Sequence, residues 1–367
     1  MNILIQLSHP AHFHLYKNVA KNLVEDGHKI YILIKTKDIL EDLLKQSGLP
    51  YYNILPEAHR RNRFGILWDM FVRDWRIICF VRRNGIDMLT GSTAEVAQVG
   101  WLLGKPHINT GEDDMRVLPM FQRIAGPFIQ IKLSPIVCDN WKLESKSVKY
   151  ASYQELAYLH PNHFTPERSV VENYFSMNEP YFILRFASLK AYHDGGMKGI
   201  DSIIAQRLID LLKPYGRIYI TSERQIEPQF EQYRIQINPL DMHHVLAFAA
   251  LYIGDSQTMA AEAAVMGVPF IRYNDFVGRI GYLNELENHY QLGFGIKASE
   301  EGSQKRLFKT VEELLIMPNR QEIWKKRCQK MLSEKIDYSK FLTWFIEEYP
   351  ESARKMRVNP DFQWNFR

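Results

Sequence analysis

The sequence predicts an α/β protein with two parallel-sheet domains, and three observations carry that prediction. The first is Leu251 to Arg272, which reads as strand, turn, helix, turn and strand within twenty-two residues. The second is that the same alternation of short apolar runs and amphipathic stretches opens the chain at Asn2 and starts again at Tyr181. The third is size, because 367 residues, 46% of them hydrophobic, exceed one typical core and suffice for two.

In chain order, Asn2 to Leu7 reads as a buried strand, followed by Ser8 to His14 with its three histidines and a helix from about Phe13 to Glu25. Asp26-Gly27-His28 ends that helix, Lys29 to Ile34 is a second strand, and Asp38 to Gln46 is a second helix closed by Gly48. This opening is Rossmann-like, but its first turn is not Gly-x-Gly-x-x-Gly, which disfavours a dinucleotide redox cofactor. Histidines 9, 12 and 14 have no acidic partner nearby in sequence, so no metal is expected.

Residues 51–83 are aromatic and basic: His59-Arg60-Arg61-Asn62-Arg63, then Phe64, Trp68, Phe71, Trp75 and Phe80, with Arg73, Arg76, Arg82 and Arg83 interleaved. Helical spacing of the apolar residues points to core packing. The alternative is a surface facing an acceptor or an anionic membrane. Gly85 to Thr93 is the next strand and turn, Ala94 to Leu103 a helix, and His107 to Thr110 a strand ending in Gly111-Glu112-Asp113-Asp114. Three carboxylates at a strand end can include a general base, and their crowding would raise at least one pKa. They can equally be a charged loop that caps the next helix.

The domain boundary is expected within 145–179, giving an N-terminal domain over 1–160 and a C-terminal one over 175–340. Tyr181 to Arg185 starts the second domain, and the long loop after it carries Lys190, His193 and Asp194. A helix over 200–212, strands over 216–221 and 235–238, and a loop and helix over 239–250 lead to the Leu251 unit. The tail is helical from about Arg320, and 341–367 has an apolar face.

The turn inside the Leu251 unit has the clearest chemistry. Asp255 or Ser256 is placed to cap a helix from about Gln257 to Met266, and Gly267 is its expected stop. A helix start leaves amide N–H groups unpaired and partly positive, so Ser256, Gln257 and Thr258 can seat a phosphate. Glu262, further along, can accept hydrogen bonds from a diol.

Asp255-Ser256, Glu262, Gly267 and Pro269 in this spacing resemble the donor-nucleotide motif of GT-B glycosyltransferases and of non-hydrolysing sugar-nucleotide 2-epimerases. The resemblance implies a GT-B fold, two Rossmann-like domains facing across a cleft, with the turn on the diphosphate and Glu262 on the ribose. Gln257-Thr258 departs from it, since the epimerases carry two glycines there. His12, fifteen positions before Gly27, matches the Gly-Gly-His loop of lipid-linked N-acetylglucosaminyltransferases, which would place it at the cleft. The resemblance further implies Arg185 and Lys190 on the donor phosphates, Asn238 and Met242 near the nucleobase, and an acid near Glu112 to Asp114 facing the acceptor. It also implies a last helix that returns to the N-terminal domain. With Met242-His243 and Tyr158-Leu-His-Pro161, the whole chain also resembles a prokaryotic family catalogued as a domain of unknown function and regarded as GT-B-like.

Composition excludes other classes. A net charge of +4 and a pI near 8.7 suit an anionic substrate or membrane surface and fall short of a nucleic-acid signature. Three scattered cysteines form no CxxC, which argues against zinc or a disulfide framework and for a reducing cytoplasm. Met1 to Ser8 has no basic prelude and no apolar run reaches about 18 residues, so neither secretion nor a membrane span is expected. The expectation is a cytoplasmic, metal-independent glycosyltransferase with no cofactor, using a nucleoside-diphosphate sugar and a glycan or lipid-linked acceptor. Peripheral contact with the inner membrane face is part of it. A 2-epimerase is the alternative enzyme, and a non-catalytic nucleotide-sugar-binding protein the alternative from another class. The oligomeric state is not readable.

Overall fold

The computed structural model describes residues 1–35, 39–55, 63–187 and 197–367. His59 to Asn62, Lys190, His193 and Asp194 lie outside them. The chain divides into two compact units, Met1–His163 with Lys335–Arg367, and Phe164–Glu334.

The first unit is built on seven strands: β1 (Asn2–Leu7), β2 (Lys29–Lys35), β3 (Tyr51–Leu55), β4 (Met88–Gly91), β5 (His107–Thr110), β6 (Ile131–Pro135) and β7 (Ser147–Tyr150). Their order is β3-β2-β1-β4-β5-β6-β7, all parallel. Strand order reverses direction between β1 and β4, the position where open parallel sheets hold ligands beyond their carboxyl ends. Ile3, Leu4 and Ile5 are fully buried, as expected of a central strand covered on both faces. Gly91 closes β4 at φ 151°, and a Cβ there would stand 2.6 Å from the carbonyl oxygen of Gln6. Only glycine lets these two strand ends approach so closely.

The helix Pro10–Glu25 starts where β1 ends. Proline sits in its first turn, and His9 caps it by accepting the Ala11 N–H. It buries Phe13, Leu15, Tyr16, Val19 and Leu23, each fully buried side chain contributing about 1.5–3 kcal/mol. Tyr338–Glu347 packs on this helix, with Asn22 donating to Thr343 Oγ1 at 3.2 Å and His28 Nε2 on Glu347 at 3.1 Å. Trp68, Phe71 and Trp75 lie on the long helix Arg63–Asn84 and are exposed, against the core packing expected for them. The reason is angular: Ile77, Ile78 and Val81 take the face toward the sheet, and the three aromatics centre about 100° round the helix from it.

The second unit has β8 (Tyr181–Phe186), β9 (Arg217–Ser222), β10 (Leu251–Gly254), β11 (Phe270–Tyr273) and β12 (Gly293–Ile296). The order is β12-β11-β10-β8-β9, again all parallel. Direction reverses between β8 and β10, so the turn at Asp255 occupies this sheet's switch point. The strand expected over 235–238 is absent. Arg234 makes one bridge to Ile220, and Pro239 then starts a helical turn, so no ladder extends.

Candidate functional site

At the end of β10 the backbone must pass close to β8. A Cβ on Gly254 would stand 2.5 Å from the Tyr252 hydroxyl and 2.9 Å from Arg185 Cβ, so the residue before the turn has to be glycine. Ser256 then caps the helix Gln257–Val265, its Oγ accepting the Met259 N–H at 3.5 Å. Ser256, Gln257 and Thr258 are half-exposed, and everything beyond them in the helix is buried. An otherwise buried helix thus presents only its electropositive first turn.

Asp255 is buried and turned inward. Its carboxylate accepts the N–H of Ala187 at 2.5 Å and of Ile200 at 3.3 Å, gathering both ends of the 187–200 segment onto β10. Burial pushes its pKa up to about 6, with those two amide bonds pulling the other way. A carboxyl raised in the folded state makes the native protein bind more protons between 3.8 and about 6. Stability therefore falls as pH rises through that window, by roughly 3 kcal/mol, and is level above it. Asp255→Asn is expected to flatten this slope in urea titrations run at successive pH values.

The neighbouring loops are tied to the same point. Asn274 donates to the Asp255 carbonyl at 2.8 Å, while Asp275 accepts the N–H of Lys198 at 2.9 Å and of Ser299 at 2.7 Å. Both side chains are buried, so these two hold the frame. Arg185 is likewise engaged, donating to Thr221 Oγ1 at 2.7 Å and pairing with Glu223.

Glu262 is 6% exposed and accepts a hydrogen bond at 3.0 Å from Nε2 of His243, itself 4% exposed. His243 lies on the short helix Met242–Ala247, with Phe164 edge-on at 6.2 Å. The bond to His243 fixes the direction of the Glu262 side chain. The pair joins residues nineteen positions apart, and nothing in the spacing announces it. Met242 is half-exposed; Asn238 is exposed and caps the turn that leads to it, accepting the Leu240 N–H at 3.0 Å.

In the first unit, His12 follows β1 in the first turn of its helix. Its Nδ1 accepts the Ser8 N–H at 3.3 Å, so a neutral imidazole carries its proton on Nε2 and acts there as a donor. At the end of β5 the three carboxylates separate by environment. Glu112 accepts the Gln154 N–H at 3.0 Å, and Asp114, buried, accepts the Asp139 N–H at 2.8 Å. Asp113 is half-exposed. Under the loop lies Lys132, fully buried on β6, donating to Asn140 at 2.8 Å and to the Gly111 carbonyl at 3.3 Å. Burial pulls its pKa down to about 8, and the nearby Cys138, Asp113 and Asp114 oppose the shift. No sequence pattern marked Lys132, because a lysine between apolar strand residues looks like an outward-facing one.

Among the described residues no group of three or more His, Cys, Asp or Glu side chains could hold a metal ion. No described helix is long and apolar enough to cross a membrane.

Solved structures similar over nearly the full length include a putative UDP-N-acetylglucosamine 2-epimerase from Listeria monocytogenes, at 13% identity and TM-score 0.64, covering 98% of this chain and 97% of that one. The S. aureus MnaA–UDP structure matches at 11% identity and TM-score 0.67, covering 96% and 97%. The spinosyn rhamnosyltransferase SpnG with spinosyn aglycone matches at 12% identity and TM-score 0.60, covering 95% and 99%. The fold is GT-B. No family model matches the chain, and no curated protein sequence does. In this GT-B chain the helix start at Ser256 and the base of the His12 turn both stand at sheet switch points, one in each unit.

Proposed function

We propose that the chain is a glycosyltransferase that moves a sugar from a nucleoside-diphosphate sugar to a glycan or lipid-linked acceptor in cytoplasmic steps of surface-polysaccharide synthesis. The observation that supports this most is the helix start at the β8/β10 switch point, whose first turn alone is exposed while Glu262 stands buried and oriented behind it. The SpnG structure with thymidine diphosphate and the MnaA structure with UDP show that proteins of this fold bind such ligands.

In this reading the first-turn amides of Gln257 and Thr258, with the Ser256 hydroxyl, take the diphosphate, and Glu262 takes the ribose diol. Met242 and the Asn238 turn lie beside the base. Asp255, Asn274 and Arg185 hold the loops in place rather than touch the donor. The acceptor hydroxyl oxygen attacks the anomeric carbon, its proton passes to Asp113, and the anomeric C–O bond breaks with its electron pair leaving on the nucleoside diphosphate. The helix dipole meets that growing negative charge, and in this reading no metal ion is required. His12 donates from Nε2 to the sugar or acceptor.

A second reading, sugar-nucleotide 2-epimerase, is favoured by the similarity to the putative 2-epimerase, whose TM-score of 0.64 exceeds the 0.60 of the rhamnosyltransferase. Incubating the purified chain with UDP-N-acetylglucosamine and thymidine-diphosphate sugars, alone and with polyprenyl-diphosphate glycans, separates the readings. Transfer is expected only with an acceptor present, unaffected by EDTA, and is expected to fall by about 100-fold or more in Asp113→Asn. Conversion of the donor to its 2-epimer without acceptor would replace the transferase by the epimerase. Binding with no turnover of any pair would leave a binding protein.

A further inference from the structure

The helix Arg63–Asn84 shows three large aromatic side chains to solvent. Trp68, Phe71 and Trp75 are 56%, 60% and 58% exposed, and the rings of Trp68 and Phe71 stand 6.0 Å apart. At 100° per residue these three positions fall within about 60° of arc, and the same stripe continues through exposed Cys79 to Arg82. Arg76 and Arg83 flank it, both exposed. No exposed residue of this stripe is acidic. The indole N–H groups of Trp68 and Trp75, and the guanidinium groups of Arg82 and Arg83, make no hydrogen bond or ion pair among the described residues.

The side nearer the sheet is packed and bonded at several points, although Asp74 there has a buried carboxylate oxygen with no hydrogen-bond partner among the described residues. Ile77, Ile78 and Val81 are buried against the sheet, Arg73 pairs with Glu95 at 2.8 Å, and Arg76 donates to the Ile54 carbonyl at 2.6 Å. The helix is therefore held rigidly by one side while aromatic rings and unpaired cations project from the other. Tryptophan and phenylalanine favour the boundary between headgroups and acyl chains, where an indole N–H finds acceptors, and arginine favours lipid phosphates. Because β3 and β4 are parallel, the helix between them begins beyond the carboxyl end of β3 and runs back along the sheet. Trp68 and Phe71, in its first half, thus lie toward the same end of the first unit as His12 and the Glu112–Asp114 loop.

We propose that this stripe docks the protein on an anionic lipid bilayer, with Trp68, Phe71 and Trp75 entering the interface and Arg82 and Arg83 on the phosphates. The surface deepens the acceptor half of the function proposed above, since an enzyme seated by this end meets an acceptor anchored in the same membrane. Its geometry does not depend on that function.

The test is cosedimentation of the full chain with vesicles of phosphatidylcholine alone and of equal parts phosphatidylcholine and phosphatidylglycerol. The wild-type chain is expected to bind the anionic vesicles, and the triple variant Trp68→Ser/Phe71→Ser/Trp75→Ser to bind them at least about tenfold more weakly. Arg82→Gln/Arg83→Gln is expected to lose several-fold at low salt and little at high salt, where the charge contribution is already screened. All substituted side chains are exposed, so thermal midpoints are expected to match the wild type. Absence of wild-type binding to anionic vesicles, or undiminished binding by the triple variant, overturns the proposal. So does a wild-type dimer in light scattering that the triple variant converts to monomer, since the stripe then belongs to a second copy. Nucleoside-diphosphate thermal shifts measured on the same samples keep the two ideas apart. Vesicle binding without any such shift leaves the membrane surface standing and removes the donor site.

Discussion

Adding a nucleoside diphosphate is expected to raise the thermal midpoint of the wild-type chain and to leave that of Glu262→Ala unmoved. A ligand present at a hundredfold excess over its Kd stabilises the native state by about 2.7 kcal/mol, a shift that is easily read in a thermal scan. The expectation rests on where Glu262 is. The helix Gln257–Val265 carries it buried one turn beyond its half-exposed first residues, with His243 fixing its direction. Glu262→Ala also removes the bond to His243, so the unliganded protein should lose about 1–3 kcal/mol through a buried donor that has lost its acceptor. The two effects separate a ligand-binding carboxylate from a merely structural one. If the unliganded variant is destabilised yet still responds fully to nucleotide, Glu262 belongs to the frame and not to the donor site. Glu262→Gln keeps the shape and part of the hydrogen-bonding capacity, so an intermediate shift is expected. His243→Ala, which leaves the Glu262 carboxylate in place, should weaken nucleotide binding less than Glu262→Ala does.

Asp337→Ala is expected to produce the largest loss of stability among single substitutions outside the donor site, about 3–5 kcal/mol in urea unfolding. Asp337 is fully buried beside the point where the chain leaves the first unit and re-enters it. Its Oδ1 accepts from His163 Nε2 at 2.8 Å, and its Oδ2 accepts from Asn162 at 2.9 Å. The same carboxylate caps the helix Tyr338–Glu347 by accepting the Lys340 N–H at 3.1 Å. Truncation removes the cap, worth about 1 kcal/mol, and strands two side-chain donors at about 1–3 kcal/mol each. Burial by itself would raise this carboxyl, but the bonds from His163 and Asn162 outweigh it and hold the pKa below the ordinary 3.8. A depressed carboxyl contributes stability that is present above the unfolded pKa and disappears as pH falls through the folded value. The acid limb of the stability profile should therefore be shallower in Asp337→Asn than in the wild type. An Asp337→Ala variant as stable as the wild type would mean that the chain crossing is held by something other than this cluster.

The stretch Tyr158-Leu-His-Pro161 carried part of the family resemblance, and Asn162 and His163 directly after it supply the donors to Asp337. That run is legible as a motif and illegible as a contact, because its partner lies 174 positions away. The same division holds through the molecule. The Leu251 unit was readable because its strand, cap, helix and stop are each set within a few residues: Ser256 caps locally, and Gly267 ends the helix at φ 74°. Strands β3, β6, β7 and β12 were not among those read from the sequence. Four or five residues of mixed polarity, such as Ser147-Val148-Lys149-Tyr150, carry too little periodicity to stand out.

By itself, then, the amino-acid sequence determined the parallel α/β architecture and the strand, cap, helix and stop of the Leu251 unit, since these follow from short-range periodicity, capping and glycine. Tertiary structure alone decided which polar residues serve the frame and which face outward. Asp255 and Asp113 look alike in sequence, yet one is buried against the amides of Ala187 and Ile200 and the other is half-exposed. Trp68, Phe71 and Trp75 have the spacing of core residues, and only the placement of Ile77, Ile78 and Val81 against the sheet turned them toward solvent. Hydrogen-bond satisfaction and burial are set by neighbours brought together from distant parts of the chain, and no local pattern encodes them.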